Sequence, residues 1–376
     1  MTDALLKRTP LHALHVRCGA KLAPFAGYEL PVQFVGILAE HRHTREAVSL
    51  FDVSHMGQMV LNADGSHGDV AALLEELVPG DIKGLAPGAT RYTLLLGDSG
   101  GILDDLMVSR PRGERCRGAL FMVVNGATKE ADAARIEAEL GGRARLERLE
   151  DRALVALQGP SAASVFSEFA PEVAGLKFME GRRVSFDGTP VFVTRSGYTG
   201  EDGFEISIPG DKAIAVADAL LNDARVKPAG LGARDSLRLE AGLCLYGHDI
   251  AADTDPVEAG LSWTIGARRR MEANFPGAPK ILSRLETGTD RLRVGLRPEG
   301  RVVARDGTEI LDGAEKLIGR VTSGTFGPTV DGPIAMGYVA RKFAAPGTKI
   351  KLRIRGRTHG GEIVALPFVP HRYFRG

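Results

Sequence analysis

From Gly57 to about Leu149 the chain reads strand, helix, strand, strand, strand, helix, strand, and a similar order recurs from Ala153. Gln58 to Leu61 is a short strand, and Val70, Leu73, Leu74 and Leu77 then recur at helical spacing until Pro79-Gly80 stops the helix. Tyr92 to Leu96, Leu106 to Ser109 and Leu120 to Val124 are β-rich runs divided by glycines. Thr128 to Leu140 is an Ala-rich, charge-rich helix ended by Gly141-Gly142. In the second unit, a strand from Leu154 to Leu157 precedes Gly159-Pro160-Ser161, which opens a helix. Strands around Val184 and Val191, a strand from Phe204 and a helix from Asp211 to Leu221 follow. Two α+β units of split β-α-β type, in tandem or interleaved, fit this order better than a doubly wound sheet. No Gly-x-Gly-x-x-Gly follows a strand, so a dinucleotide fold has little support.

Residues 268 to 290 mix basic residues with Pro276, Pro279 and two glycines, and read as a boundary. Short strands follow at Arg291 to Leu296, Lys316 to Val321, Ala335 to Val339, Lys349 to Ile354 and Gly361 to Leu366. Their turn-separated spacing is that of an antiparallel barrel or sandwich. A length of 376 residues suits two or three domains. The expected division is 1–275, made of two interleaved parts (about 1–55 with 150–275, and 56–149), and a C-terminal β-domain over 285–376.

Forty-eight basic and 47 acidic residues leave a net charge of +1, so no whole-chain field draws nucleic acid or membrane. Cys18, Cys116 and Cys244 and nine scattered histidines show no metal or redox spacing. A reducing compartment and small packed cysteines are expected. Met1 to Pro10 has no apolar core and no run of 18 apolar residues occurs, so the expectation is a soluble, cytoplasmic protein without a secretory signal.

Four segments carry candidate chemistry. Arg195-Ser-Gly-Tyr-Thr-Gly-Glu-Asp-Gly-Phe-Glu205 packs three glycines, an aromatic and three carboxylates ahead of a strand on which Phe204 and Ile206 share one face and Glu205 and Ser207 the other. It is either a solvated hairpin or a ligand-facing turn with a carboxylate at its mouth. In Gly100-Gly-Ile-Leu-Asp-Asp105, the adjacent Asp104 and Asp105 point to opposite faces of any strand, so one of them can turn inward; an exposed Asp pair after a turn is the other reading. In Phe51-Asp-Val-Ser-His-Met-Gly57, the Ser54-His55 adjacency argues poorly for a nucleophile, because no Gly-x-Ser-x-Gly elbow exists. His55 reads as a hydrogen-bonded structural histidine and Met56 as an apolar wall. Gly230-Leu-Gly-Ala-Arg-Asp235 opens a helical run from Asp235 to Ala241, with Arg234 in or just before its first turn. Arg234 either caps locally or offers a planar donor fork to a ligand oxygen.

These segments, in this order, resemble the folate-dependent aminomethyltransferase family, the T-protein of the glycine cleavage system. Thr9-Pro-Leu-His-Ala-Leu-His15, Phe25-Ala-Gly-Tyr-Glu-Leu-Pro31, Gln158-Gly-Pro160, Asp255-Pro-Val-Glu-Ala-Gly-Leu-Ser-Trp263, Thr322-Ser-Gly-Thr-Phe326 and Pro367-Phe-Val-Pro-His-Arg-Tyr373 extend the likeness over nearly the whole chain. The resemblance implies two interlocked ferredoxin-like domains around a central channel and a C-terminal β-barrel-like domain. It implies transfer of the aminomethyl carbon from the dihydrolipoyl arm of H-protein to tetrahydrofolate, with release of ammonia, and neither metal nor flavin.

By the same resemblance, Asp105 is the catalytic group beside folate N10 and the reacting carbon, and Asp104 is structural. Glu205 reads the pterin donor pair and Arg234 its oxygen. Tyr92, Val123, Asn125, Tyr198 and Met56 align with cofactor-contacting positions. Core packing is an equal reading for Val123 and Met56, and a helix cap for Asn125. Tyr373 matches a position near the ligand, although His371 and Arg372 beside it depart from the family pattern. Trp263 is expected to pack at a domain junction, and Arg268 to Arg270 either to meet an acidic partner or to stay solvated. A stand-alone folate-dependent demethylase is the alternative function. A flavin-linked oxidase would carry a Gly-x-Gly-x-x-Gly, and a non-enzymatic folate binder of the iron–sulfur type would lack Asp105.

Overall fold

A computed structural model describes residues 6–376; residues 1–5, the start of the Met1 to Pro10 stretch, lie outside the described residues. Strand Val48–Asp52 belongs to one sheet, the chain then builds a second sheet, and it returns to the first from Arg152. The second sheet has five antiparallel strands in the order Thr90–Leu96, Ile102–Ser109, Ala119–Val124, Gly57–Asn62, Arg145–Arg148. One face is apolar at every second residue, and the helices His67–Leu74 and Lys129–Leu140 cover it. Leu106, Val108, Leu120 and Met122 meet Val70, Leu74, Ala133 and Ile136 there. Each such buried aliphatic contributes about 1.5–3 kcal/mol, which outweighs the modest propensity of so mixed a sequence.

The first sheet has six strands in the order Gly181–Phe186, Thr189–Thr194, Gly203–Pro209, Arg152–Gln158, Val48–Asp52, Val226–Ala229. Only the last pairing is parallel, reached through the helix Ala213–Leu221. Phe204, Ile206 and Ile208 are fully buried against Phe166, Phe186 and Val216, as their alternation requires. Glu205 consequently faces the other way.

The C-terminal strands close a six-stranded barrel in the order Arg291–Pro298, Gly332–Ala340, Leu317–Gly327, Glu309–Leu311, Lys349–Ile354, Arg357–Val364. The short strand Glu309–Leu311, absent from the sequence reading, bridges two longer ones and leaves no open edge.

Several expectations are refined or overturned. The stretch read as a boundary at 268–290 is helical rather than an open linker, with helices Ala267–Glu272 and Ala278–Thr287. Ile281 and Ala278 join Leu94, Leu96 and Ile102 in a core between the five-stranded sheet and the loops around residues 244–265. Pro279 is tolerated because it lies in the first helical turn, where its missing N–H breaks no bond. Arg268–Arg270 is not a solvated patch. Arg268 pairs with Glu75, Asp81 and Glu272, Arg269 is fully buried on the Glu75 and Val78 carbonyls, and Arg270 bonds the Ile265 and Ser262 carbonyls. Of the cysteines only Cys244 is packed; Cys18 is exposed and Cys116 half-exposed.

Candidate active site

The Ile102–Ser109 strand starts four residues before the expected Leu106, so both aspartates lie inside it rather than in a turn. Asp104 shares the helix-covered face and is fully buried, while Asp105 is half-buried on the opposite face, across from Leu94. Asn125 follows the last residue of the neighbouring strand and ties the two carboxylates together. Its backbone N–H donates to Asp104 Oδ2 at 3.0 Å. Its Nδ2 donates to Asp104 Oδ1 at 2.8 Å and to Asp105 Oδ1 at 2.8 Å. The amide thus serves the acidic pair, and the helix beyond it has no side-chain cap.

Asp105 also accepts a hydrogen bond from the Tyr92 hydroxyl. Burial, and then the charge of Asp104, push its pKa up to about 7, against the lowering effect of Tyr92 and Asn125. A carboxyl poised there can both take and return a proton near neutral pH. Burial and the Asp105 charge push the Tyr92 hydroxyl well above its ordinary range, which keeps it a donor.

The Arg195–Glu205 loop is held by protein, not left as a solvated hairpin. Arg195 forks onto Asp202 at 2.9 and 2.5 Å. Gln158 Nε2 donates to the Ser196 carbonyl, and the Thr199 hydroxyl donates to Gln158 Oε1. A Cβ on Gly197 would sit 1.9 Å from Gln158 Oε1, so that glycine is needed for the protein's own contact. Glu205 emerges half-buried with one partner, the Ser196 hydroxyl at 2.7 Å.

The helix starts four residues earlier than expected and runs Leu231–Glu240, so Arg234 lies in its first turn, where its N–H bonds the Gly230 carbonyl. The glycines there serve packing: a Cβ on Gly230 would strike the Val32 carbonyl at 2.3 Å, and one on Gly232 the Ile37 side chain at 2.5 Å. The guanidinium lies 4.8 Å over the Tyr198 ring, faces the charge of Glu205, and leaves Nη1 buried without a partner. Burial lowers its pKa, and Glu205 opposes that effect. An unbonded buried cation is costly by itself and marks a place for a ligand acceptor. Tyr198 donates its hydroxyl to the Cys244 carbonyl, which fixes the ring under Arg234.

Met56 and Val123 are half-buried against Phe51, Val53, Ala229 and Ala233, where the two sheets approach each other. Tyr373 is apart from this group. It stacks on Phe178 at 3.9 Å and lies against His371, Arg45 and Glu201. Trp263 does not pack at a junction: it is 63% exposed and stacks on Tyr92 at 5.5 Å. His55 is buried, but its Nδ1 has no partner; burial, followed by the Arg234 charge, lowers its pKa to about 4, so it is neutral. The sequence reading passed over Asp132, which is buried beneath Asp104. Its spacing with Ile136 and Leu140 put a carboxyl on the apolar stripe of the helix, a signal that was available.

Family models fit the chain in two parts: the GCVT N-terminal domain over residues 11–269 and the glycine cleavage T-protein C-terminal barrel domain over 291–370. The chain belongs to the glycine cleavage T-protein family. It is similar to the probable mitochondrial aminomethyltransferase of Schizosaccharomyces pombe, with 43% identity over 98% of this chain and 95% of the relative. It is 42% identical to the mitochondrial aminomethyltransferase of Solanum tuberosum over 100% of this chain and 92% of the relative. The crystal structure of glycine cleavage system aminomethyltransferase T from Bartonella henselae superposes with a TM-score of 0.91 at 43% identity, covering 98% of this chain and 99% of that one. This T-protein is therefore an aminomethyltransferase of the glycine cleavage system, and nothing favours the demethylase alternative. The cytoplasmic expectation is contradicted by the relatives: those from Schizosaccharomyces pombe, Solanum tuberosum and Dictyostelium discoideum are mitochondrial proteins.

Proposed function

We propose that this T-protein uses tetrahydrofolate as the acceptor of the one-carbon unit and the lipoylated H-protein as its donor, with Asp105 as the catalytic group. The observation that carries the reading is the half-buried Arg234, whose Nη1 is buried without a partner, facing Glu205, a donor fork and an acceptor side by side. A pterin presents an oxygen beside an N–H and an amino group, which is the complementary set. Glu205 accepts the pterin donors, Arg234 donates to the pterin oxygen, and the Tyr198 ring carries the guanidinium. Met56 and Val123 supply an apolar wall, and Asn125 and Tyr92 act on the ligand through Asp105. Tyr373, stacked on Phe178, contributes to the ligand side from the C-terminal segment.

In the reaction, both the C–N and C–S bonds of the aminomethyl sulfide break, and the carbon bonds to two folate nitrogens. The two N–H protons lost by the folate end on ammonia and on the lipoyl thiol. A cationic iminium-like carbon forms on the way, and the carboxylate of Asp105 stabilises it and accepts the N10 proton.

Two outcomes check this reading. Calorimetric titration of Glu205→Ala and of Arg234→Met with folate is expected to show affinity weakened by about 1–3 kcal/mol, because each truncation leaves its partner or the ligand with an unpaired buried group. Unchanged affinity in both variants refutes the pterin placement. The pH dependence of kcat/KM follows from the raised pKa of Asp105: the protonated form dominates below it, so activity rises with pH to a plateau above about 7. Activity already level from pH 5 upward contradicts the assigned carboxylate role.

A further inference from the structure

Asp105 is linked through Asn125 to a second carboxyl, Asp104, which meets a third, Asp132, and among the described residues none of the three forms a salt bridge. Asp104 is fully buried and Asp132, on helix Lys129–Leu140, is 2% exposed. The two carboxyls share a hydrogen bond, and Asp132 Oδ2 finds no protein donor. The cations of that helix are committed elsewhere. Lys129 donates to the Tyr28 hydroxyl and the His55 carbonyl, and Arg135 pairs with Asp98. Facing the cluster from other elements are Tyr92, Tyr198, Cys244 and Tyr246, all held neutral by burial.

Three anions cannot share such a place, so at least one carboxyl keeps its proton. Asp104 is the poorer holder, because Asn125 already donates to both of its oxygens and stabilises the anion. Asp132 has one unpartnered oxygen and the Thr128 hydroxyl beside it, against the two donors from Asn125 that Asp104 has. Its pKa is raised, by burial first and the Asp104 charge second, to about 9.

We propose that Asp132 is a positioning residue for the transfer reaction: as the neutral acid it donates its proton to Asp104, and Asp104 so anchored holds Asn125, which in turn sets the orientation and proton affinity of Asp105. The chain of contacts is Asp132 to Asp104, Asp104 to Asn125, and Asn125 to Asp105. The negative charge stays on Asp104, one strand residue from the catalytic group, and after burial, the larger cause, this charge raises the proton affinity of Asp105.

The test uses the full-length enzyme and rests on the assignment of Asp105 above, with one readout independent of it. Infrared difference spectra of the ligand-free protein at about pH 8, where Asp105 is largely ionised and Asp132 is not, are expected to show a buried protonated carboxyl band that disappears in Asp132→Asn. That readout judges the proton on Asp132 even if the role of Asp105 is wrong. Asp132→Asn keeps a neutral donor to Asp104, so its kcat stays within about threefold and its acid limb stays in place. Asp132→Ala removes the donor; Asp104 then takes up a proton itself, and the acid limb of kcat moves down by about one pH unit or more with KM for folate unchanged. Asp104→Asn removes the same charge, moves the limb in the same direction, and substitutes for Asp132→Ala should that variant fail to fold.

Stability gives a second sign. A folded-state pKa raised from 3.8 to about 9 lowers stability as pH climbs through that window, because the folded state binds the extra proton. Asp132→Asn therefore flattens the fall of the unfolding midpoint toward alkaline pH. A carboxyl band that survives in Asp132→Asn, an acid limb unmoved in both Asp132→Ala and Asp104→Asn, or an Asp132→Asn enzyme as impaired as the alanine variant overturns the proposal.

Discussion

Asp105→Asn lowers turnover by about 10²- to 10³-fold, the loss typical when a fixed group aimed at developing charge is neutralised. The substitution is nearly isosteric, so the hydrogen bonds from Asn125 and Tyr92 still find an oxygen, and the fold is kept. Folate affinity changes by less than about tenfold, because Arg234 and Glu205 are untouched. Single-turnover assay of methylenetetrahydrofolate formation separates the two effects: the defect belongs to kcat and not to KM. Parental turnover by this variant ends the catalytic assignment. The asparagine also removes the acid limb near pH 7, since the group that titrates there is gone.

Asp249→Ala destabilises the protein by about 3–5 kcal/mol, the cost of removing one partner of a buried charge pair. Asp249 is fully buried and accepts from Arg238 at 2.6 Å, from the Leu245 N–H at 3.0 Å, and from the Ser323 and Thr322 hydroxyls at 2.9 and 2.5 Å. Those donors come from the Leu231–Glu240 helix, the loop after it and the barrel, so one carboxylate joins three parts of the chain. Its loss leaves Arg238, 2% exposed, with only half-exposed Asp235 for a counter-charge. By contrast, Arg301–Asp331 is a pair of largely exposed side chains, and its removal changes stability by less than about 1 kcal/mol. Urea unfolding of Asp249→Ala beside Asp331→Ala distinguishes them, and equal midpoints would falsify the joint's structural weight.

Much of the site was legible because its residues sit in locally patterned segments. Alternation along Phe204–Ile208 placed Glu205 off the core, and the adjacency of Asp104 and Asp105 placed them on opposite faces of one strand. Arg234 was legible in identity and as a first-turn residue, but not the helix start, because the lack of side chains at Gly230 and Gly232 lets the helix begin early and pack directly on Val32 and Ile37. Arg268 to Arg270 misled for a related reason: a basic run reads as solvated unless the distant Glu75 and Asp81 are known to face it. Asp132 was legible as buried only through its spacing with Ile136 and Leu140, and its meeting with Asp104 was not legible at all.

The strand and helix periods, the turns between them and the identity of the reacting side chains were set by the order of residues, since each depends on neighbours a few positions away. Which carboxyl keeps a proton, which guanidinium is left unbonded and which tryptophan covers a tyrosine were decided only when segments far apart in the chain met. Proton affinity and hydrogen-bond satisfaction depend on distance and water access, and Asp105 acquires its own from a helix that begins twenty-four residues later.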